Sequence, residues 1–344
     1  MPSTRTHKTE RYRGRLSRLV RIRESEIESH DGTRLFFRSV GSGMPIVCCN
    51  GVGVSTFFWK KLETFFHTNY QVITWDYRGH GHSENPKDPA RCTMQDLVDD
   101  LKAVLDACKI DRAVFTGHSF GVQVILEFYK QYPKRVLGMA LCMGTYGHPL
   151  NTFYNSPLSR HIFDFICQFG LQFPRIGGLI GRTLIDNPFS FYLGGLLKMM
   201  NPSMAPKDEV KKYVAHFTRL DTIFFSQLCK NMQEHSAESV LSVVSVPTLI
   251  IAGEDDTFTP MWISKKMHRL VKGSELFVIR KGSHAAIIEH PELINLRIEK
   301  FIHDKISASL SLSTLSPDSS RLSSAREGSN RHLKRSKHND LSLH

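Results

Sequence analysis

The chain has 344 residues, of which 41% are hydrophobic and 23% are charged, so it can bury the core of one large domain or of two smaller ones. Its formal net charge is +12, but residues 1–23 carry +7 of this, residues 305–344 carry +4, and the residues between them carry only +1. The nearly neutral interior argues against a nucleic-acid-binding protein.

The seven cysteines include no CxxC pair and follow no regular spacing. Several of them, such as Cys48, Cys49 and Cys142, lie in apolar patterns where a free cysteine behaves as a small buried hydrophobe, which favours a reducing compartment. No signal peptide is indicated, and no apolar run reaches the roughly 18 residues of a membrane-spanning helix. We therefore expect a cytoplasmic protein.

The basic amino-terminal residues 1–23 alternate cationic side chains with Leu16, Leu19, Val20 and Ile22. We interpret them as a solvated arm. The alternative is a short amphipathic helix that contacts an anionic membrane surface peripherally.

From Glu24 onward, short apolar runs alternate with helical patterns. Strands are predicted at 26–30, 33–40, 45–49, 70–75, 113–116, 135–143, 246–252 and 275–279, and helices at 56–66, 94–107, 122–132, 261–270 and 291–306. This order predicts an α/β fold with a doubly wound, mostly parallel sheet. The first two strands, joined at Asp31-Gly32, should form an antiparallel hairpin at its edge.

Residues 145–240 interrupt the alternation with an apolar and aromatic stretch that contains several Pro residues and Gly pairs. They predict a mainly helical cap over the carboxyl edge of the sheet, with a set of ordinary core helices as the alternative. The core would then consist of residues 24–144 and 241–306. Residues 307–344 include twelve Ser and show no helical or strand period, so a disordered basic tail is expected there.

Residues 117–121 are singled out by a short motif together with the strand and helix patterns on either side of it. The segment Gly-His-Ser-Phe-Gly stands between an apolar strand and a helical pattern, which is the arrangement of a G-x-S-x-G nucleophile elbow. In such a turn the Ser119 hydroxyl stands exposed above the sheet. The Phe120 N–H opens the following helix, where free amides and the helix dipole favour an oxyanion.

A serine nucleophile needs a base within hydrogen-bond reach, and that base needs an acid to orient it. Catalytic groups of open α/β sheets collect at the carboxyl ends of the strands. Asp256 and His284 each follow a predicted strand there, whereas the loop after Met143 carries no carboxylate. The expected order along the chain is therefore Ser, Asp, His.

Four segments between Gly51 and Pro291 together resemble the α/β-hydrolase superfamily. They are the elbow at 117–121, the loop Asp-Tyr-Arg-Gly-His-Gly-His-Ser at 76–83, the turn Gly-Glu-Asp-Asp at 253–256 and the turn Gly-Ser-His at 282–284. The resemblance implies that Ser119 is the nucleophile, His284 the general base and Asp256 the orienting acid. Asp255 is the alternative acid.

The family's oxyanion loop usually begins with His-Gly, whereas this chain has Asn50-Gly51. Backbone amides supply the donors, so the geometry survives if Asn50 makes equivalent contacts. Val52 N–H and Phe120 N–H are assigned as the two donors. No cofactor motif is found, and His80 and His82 are interpreted as structural residues of their loop, so neither a cofactor nor a metal is expected.

A serine at the elbow disfavours the aspartate-dependent dehalogenases and epoxide hydrolases of the family. We expect a serine hydrolase of the esterase or lipase kind, which cleaves an apolar, lipid-like carboxylic ester through an acyl-enzyme. The alternatives are a thioesterase, a carbon–carbon bond hydrolase and a non-catalytic ligand-binding member. Apolar side chains of the cap, among them Phe163, Phe165, Leu179, Phe189 and Leu196, are expected to line a channel for medium or long acyl chains. The oligomeric state stays open.

Overall fold

The computed structural model of the protein describes residues 20–187 and 189–308. Within them the apolar runs form eight strands. The strands are β1 (Ile22–Glu28), β2 (Arg34–Gly41), β3 (Met44–Cys49), β4 (Tyr70–Trp75), β5 (Ala113–His118), β6 (Val136–Cys142), β7 (Thr248–Gly253) and β8 (Glu275–Ile279). The predicted basic arm and tail lie outside the described residues, except for 20–23 and 307–308.

Twelve α-helices occur in the same described ranges. They are α1 (Lys60–Phe66), α2 (Met94–Ala107), α3 (Phe120–Gln131), α4 (Pro157–Gln172), α5 (Pro174–Ile185), α6 (Ser190–Leu196), α7 (Lys207–Phe217), α8 (Thr222–Glu234), α9 (Glu238–Leu241), α10 (Met261–Leu270), α11 (Ala286–Glu289) and α12 (Pro291–Phe301). A short π-helical segment follows at Ile302–Ser307. None of the described helices combines the length and apolar character needed to cross a bilayer.

The strands form one sheet in the order β1-β2-β4-β3-β5-β6-β7-β8. The predicted edge hairpin of β1 and β2 is confirmed, and β2 also pairs antiparallel with β4, while the remaining pairs are parallel. The hairpin begins earlier than its sequence pattern suggests, because Ile22 pairs with Val40. The fold class read from the alternation of strands and helices is therefore confirmed.

The centre of the sheet is the most deeply buried part of the fold. Every residue of β5 and β7 is buried, which matches the continuous apolar runs that predicted these strands. Helix α3 packs on β5 and its neighbours β3 and β6. The loops at the carboxyl ends of β3, β5, β7 and β8 consequently meet over one edge of a rigid sheet.

The regular elements of the described part of residues 145–240 are helices joined by turns, and one isolated β-bridge pairs Gly147 with Ser236. That bridge joins the beginning of the segment to its end, and the Ala237 N–H also donates to the Tyr146 carbonyl at 2.8 Å. The chain therefore leaves the strand–helix alternation and returns to it at the same place.

Candidate active site

Ser119 lies in a strained turn between β5 and α3. Its backbone angles are φ 55° and ψ −116°, a region that costs a residue with a side chain about 1–3 kcal/mol. Gly117 and Gly121 flank the serine because neighbouring atoms leave no room for a side chain at either position. A Cβ at Gly121 would lie 2.2 Å from the Cys49 carbonyl oxygen, and one at Gly117 would lie 2.6 Å from Ile125 Cδ1.

Three predicted site residues come together above this turn. His284 Nε2 lies 3.0 Å from Ser119 Oγ, and His284 Nδ1 lies 3.0 Å and 3.2 Å from the two carboxylate oxygens of Asp256. The network assigns the ring proton to Nδ1, so that Asp256 accepts it and Nε2 can accept the serine proton. Asp255, the alternative acid, is exposed to solvent.

Asp256 is buried, yet its carboxylate is well supplied with donors. Its oxygens accept from the Phe258 N–H at 2.8 Å, the Thr259 N–H at 2.9 Å and the Thr259 hydroxyl at 2.7 Å. Burial by itself raises the pKa of Asp256, but attraction to His284 and these hydrogen bonds outweigh it, and the pKa is lowered. The group therefore stays ionised at neutral pH.

Two residues that the sequence did not single out hold the loop of His284. His118, within the elbow, donates from Nε2 to the His284 carbonyl at 2.9 Å. Burial lowers the pKa of His118 to about 3, so it is a neutral imidazole. The buried Glu289 accepts from Ser283 Oγ at 2.6 Å and from the Asn201 N–H at 2.6 Å, which ties the same loop to the helical segment.

The loop that departs from the family pattern is fixed by Asn50. The buried Asn50 amide donates to the Trp75 carbonyl at 2.8 Å and accepts from Trp59 Nε1 at 2.6 Å. Tyr77 adds a hydrogen bond from its hydroxyl to the Asn50 carbonyl at 2.9 Å. Asn50 therefore makes the loop contacts on which the assignment of Val52 depended.

The two amides assigned to the oxyanion hole are free to receive a ligand. Neither the Val52 N–H nor the Phe120 N–H donates a hydrogen bond to any group of residues 20–187 or 189–308. Phe120 is the first residue of α3, where an N–H has no partner within the helix.

Two neutral histidines clamp the residue that follows Val52. The Gly53 N–H donates to His80 Nε2 at 3.1 Å, and the Gly53 carbonyl accepts from His216 Nδ1 at 3.1 Å. His216 also accepts from the Gly81 N–H at 2.9 Å. His80 thus has the structural role predicted for it, whereas His216, from α7, was not identified from the sequence.

Asp76 also holds a turn. Its carboxylate accepts from the Thr56 N–H at 2.7 Å and from the His82 N–H at 2.9 Å. In the same loop the buried Arg78 guanidinium contacts Asp100 at 2.6 Å and 2.7 Å. The Thr56 contact ties this loop to the segment that follows the oxyanion loop.

The burial of His80 predicts a contribution to acid denaturation. Burial lowers its pKa to about 4 from an unfolded value of 6.5. Between these two pH values the unfolded chain binds a proton that the folded chain does not, so the free energy of unfolding falls as the pH is lowered, by about 1.4 kcal/mol per pH unit. His80→Gln, whose amide oxygen can still accept from Gly53, should reduce this slope by that amount.

Urea unfolding at a series of pH values across this window measures the slope. His303→Gln is the control, because the His303 side chain is 81% exposed. Equal slopes for the wild-type protein and His80→Gln would contradict the prediction.

Aromatic rings surround the site, but they are not the ones expected. The Phe258 ring lies 5.0 Å from the His284 ring and the Phe58 ring 4.8 Å from the His118 ring. A Cβ at Gly53 would lie 3.0 Å from Phe217 and 3.7 Å from Phe225. None of these four rings is among the side chains singled out from the sequence for the channel.

Four of the cap side chains that were candidates for lining a channel face solvent instead. Phe165, Leu179, Phe189 and Leu196 are 69%, 67%, 76% and 79% exposed. Phe163, in contrast, is partly buried and packs on Phe153 at a ring distance of 4.9 Å. The sequence indicates an apolar, mainly helical segment, but its composition does not show toward which side each side chain faces.

Family models agree with this architecture. One described as alpha/beta hydrolase fold matches residues 44–161, and one described as TAP-like protein matches residues 220–305. The chain belongs to the α/β-hydrolase fold superfamily.

Particular relatives are distant. The chain is 25% identical over 255 residues to Protein ABHD8 of Mus musculus. The match covers 74% of this chain but only 54% of ABHD8, so this chain spans about half the length of the ABHD8 proteins that it matches. It is 27% identical over 304 residues to 2-hydroxy-6-oxononadienedioate/2-hydroxy-6-oxononatrienedioate hydrolase 2 of Pseudomonas putida, covering 83% of this chain and 96% of that one.

A solved structure supports the fold. The esterase EaEST from Exiguobacterium antarcticum superposes with a TM-score of 0.69 over 81% of this chain and 99% of that chain, at 18% sequence identity. At this identity the similarity concerns the fold, and the hydrolase class comes from the family.

Proposed function

We propose that this protein is a serine hydrolase that cleaves a carboxylic ester of an apolar, lipid-like substrate through an acyl-enzyme intermediate. The distance of 3.0 Å between Ser119 Oγ and His284 Nε2 is the observation that carries the proposal. A serine hydroxyl at neutral pH becomes an effective nucleophile when a positioned base can take its proton.

In the proposed reaction His284 removes the proton of Ser119 as Oγ attacks the ester carbonyl carbon. Asp256 holds the ring in the tautomer that allows this transfer and stabilises the imidazolium that forms. The negative oxygen of the tetrahedral intermediate is stabilised by the N–H groups of Val52 and Phe120.

When the intermediate collapses, the carbon–oxygen bond to the alcohol breaks and His284 gives its proton to the leaving oxygen. The acyl group remains on Ser119. Water, deprotonated by His284, then attacks the acyl carbon, and the second intermediate releases the carboxylic acid and restores the Ser119 hydroxyl.

The rings around the site support an apolar acyl group. Phe217 and Phe225 lie against Gly53, one residue beyond a proposed oxyanion donor, and Phe258 packs on His284. Each methylene buried on such a surface contributes about 0.8 kcal/mol, so four additional methylenes raise kcat/KM about a hundredfold.

A series of soluble esters with acyl chains from acetate to palmitate, assayed below micelle formation, tests this proposal. We expect kcat/KM to be highest for medium or long chains. Phe217→Ala should flatten the dependence on chain length, and Phe165→Ala is the matched control because that ring is exposed. A maximum at acetate would contradict the apolar pocket.

Carbon–carbon bond hydrolysis is the second candidate, favoured by the similarity to the Pseudomonas putida hydrolase. The name of that protein's substrates denotes two carboxylates, which cationic side chains would have to bind. Turnover of a vinylogous diketone without turnover of any ester in the series would favour this second candidate.

A further inference from the structure

Three consecutive helices of the segment 145–240 turn apolar side chains toward solvent. On α5 these are Ile176, Leu179, Ile180 and Leu184, which follow the i, i+3, i+4, i+8 spacing of one helix face. The stripe that ordinarily packs on a protein core is here exposed over its whole length.

Helix α4 and the segment around α6 repeat this arrangement. Leu158, Ile162 and Phe165 form an exposed stripe on α4, and Phe189 and Leu196 belong to one around α6. Neither α5 nor α6 contains a buried residue. We call this surface the apolar face and define it by its most exposed members, Phe165, Ile176, Leu179, Leu184, Phe189 and Leu196.

The opposite side of α5 explains why the stripe faces outward. A Cβ at Gly177 would lie 3.3 Å from Gly170 Cα, and one at Gly178 would lie 2.7 Å from Thr222 Oγ1. The helix therefore packs on α4 and α8 through its small residues. Its large apolar side chains remain on the solvent side, which is the reverse of an ordinary amphipathic surface helix.

The charges along the apolar face are suited to an anionic surface. Residues 157–206 carry a net charge of +2. Within the described part of the chain, Arg175, Arg182 and Lys198 form no ion pair, unlike Arg160, which lies 3.6 Å from Asp164. Unpaired cations beside aromatic and Leu side chains are the composition of helices that lie in a lipid interface, whereas two copies of this face would bring like charges together.

One end of the apolar face adjoins the candidate active site. The Tyr154 hydroxyl donates to the Leu197 carbonyl at 2.8 Å, and Thr257 donates from its hydroxyl to the Lys198 carbonyl at 3.2 Å. Thr257 follows Asp256 directly. A surface in contact with Leu196 and Leu197 is thus beside the loop that carries the acid.

We propose that the apolar face docks on the surface of an anionic lipid bilayer, with Arg175, Arg182 and Lys198 at the headgroup level. Docking of this kind buries the exposed stripes of α4 to α6 in the acyl boundary and pairs the cations with lipid phosphates. The inference concerns binding and holds whether or not the site cleaves esters.

Flotation of the full chain with vesicles tests the proposal. One set of vesicles is phosphatidylcholine alone and the other an equal mixture of phosphatidylcholine and phosphatidylglycerol. We expect the wild-type protein to float with the mixed vesicles. The double variant Phe165→Glu/Leu179→Glu should lower the ratio of vesicle-bound to free protein about tenfold or more. The double variant Arg175→Gln/Arg182→Gln should bind the mixed vesicles more weakly, and its binding should depend less on salt concentration.

Val243→Glu/Leu296→Glu is the matched control, because these side chains are 67% and 55% exposed but lie outside the apolar face. Thermal unfolding by circular dichroism checks the fold of each variant, and Ile176→Ser/Leu184→Ser replaces the first pair if that pair does not fold. The proposal would be overturned if folded variants of the apolar face floated to the same extent as the wild-type protein. It would also be overturned if the wild-type protein did not float. A wild-type dimer that does not float, and that substitutions in the apolar face dissociate, would show that a second copy covers the face instead.

Discussion

Replacing Ser119 with alanine is expected to lower kcat/KM for a soluble ester by at least about 10⁴-fold. Alanine removes the oxygen that lies 3.0 Å from His284 Nε2, and the proposed acyl-enzyme cannot form without it. The backbone at this position, with φ 55° and ψ −116°, makes the same turn with either residue, so the fold should be retained. Hydrolysis of a soluble ester measures the loss of turnover, and labelling with a fluorophosphonate probe measures the loss of the nucleophilic oxygen.

Ser242→Ala is the control for this substitution, because Ser242 is an exposed serine outside the site. The control should be labelled and should turn over ester as the wild-type protein does. Circular dichroism should show the same unfolding transition for all three proteins. Nearly normal turnover by folded Ser119→Ala would remove the central claim of the proposed function.

Short motifs carried most of the information about the site. The elbow at 117–121 could be interpreted because its glycines, its serine and the adjoining strand and helix are contiguous in the chain. Asp256 and His284 lie far from Ser119 in sequence, but each comes directly after a parallel strand. Parallel strands deliver their carboxyl ends to a single edge, so the topology places these loops together once the strands are recognised.

Contacts between distant segments could not be predicted in this way. His216 holds Gly53 across a sequence separation of 163 residues, and nothing in the composition of α7 distinguishes it from a surface histidine. Phe217 and Phe225 reach the same glycine by the packing of helices whose directions are not encoded in their hydrophobic period. The sequence pattern therefore predicts the candidate catalytic residues but not the residues that surround the substrate.

Residues 145–240 also show that a sequence pattern does not determine the direction in which a helix packs. The sequence predicts that the apolar residues of this segment line a pocket, because an insertion at this place would cover the nucleophile. In the structure, Gly177, Gly178 and Thr222 make the internal contact instead, and Leu179 faces solvent. A period determines which residues share a face, whereas the small residues on the other side determine which face is packed.

Asp256→Asn should produce the second large effect, a loss of about 10⁴-fold in kcat for ester hydrolysis. The amide removes the negative charge that stabilises the imidazolium of His284, and its NH₂ group can turn toward Nδ1 and favour the wrong tautomer. The Asn oxygen can still accept from Phe258 and Thr259, which donate to the carboxylate at 2.8 Å and 2.9 Å, so the loop should keep its conformation.

Asp255→Asn provides the matched control, because it makes the same chemical change one residue away. Asp255 is exposed, and the structure places Asp256, not Asp255, within 3.0 Å of His284 Nδ1. We expect this variant to retain kcat within about twofold of the wild-type value, in line with the small effects of surface substitutions. Steady-state kinetics on one soluble ester compares the two variants directly. A loss in Asp255→Asn that equals or exceeds the loss in Asp256→Asn would transfer the role of the orienting acid to Asp255.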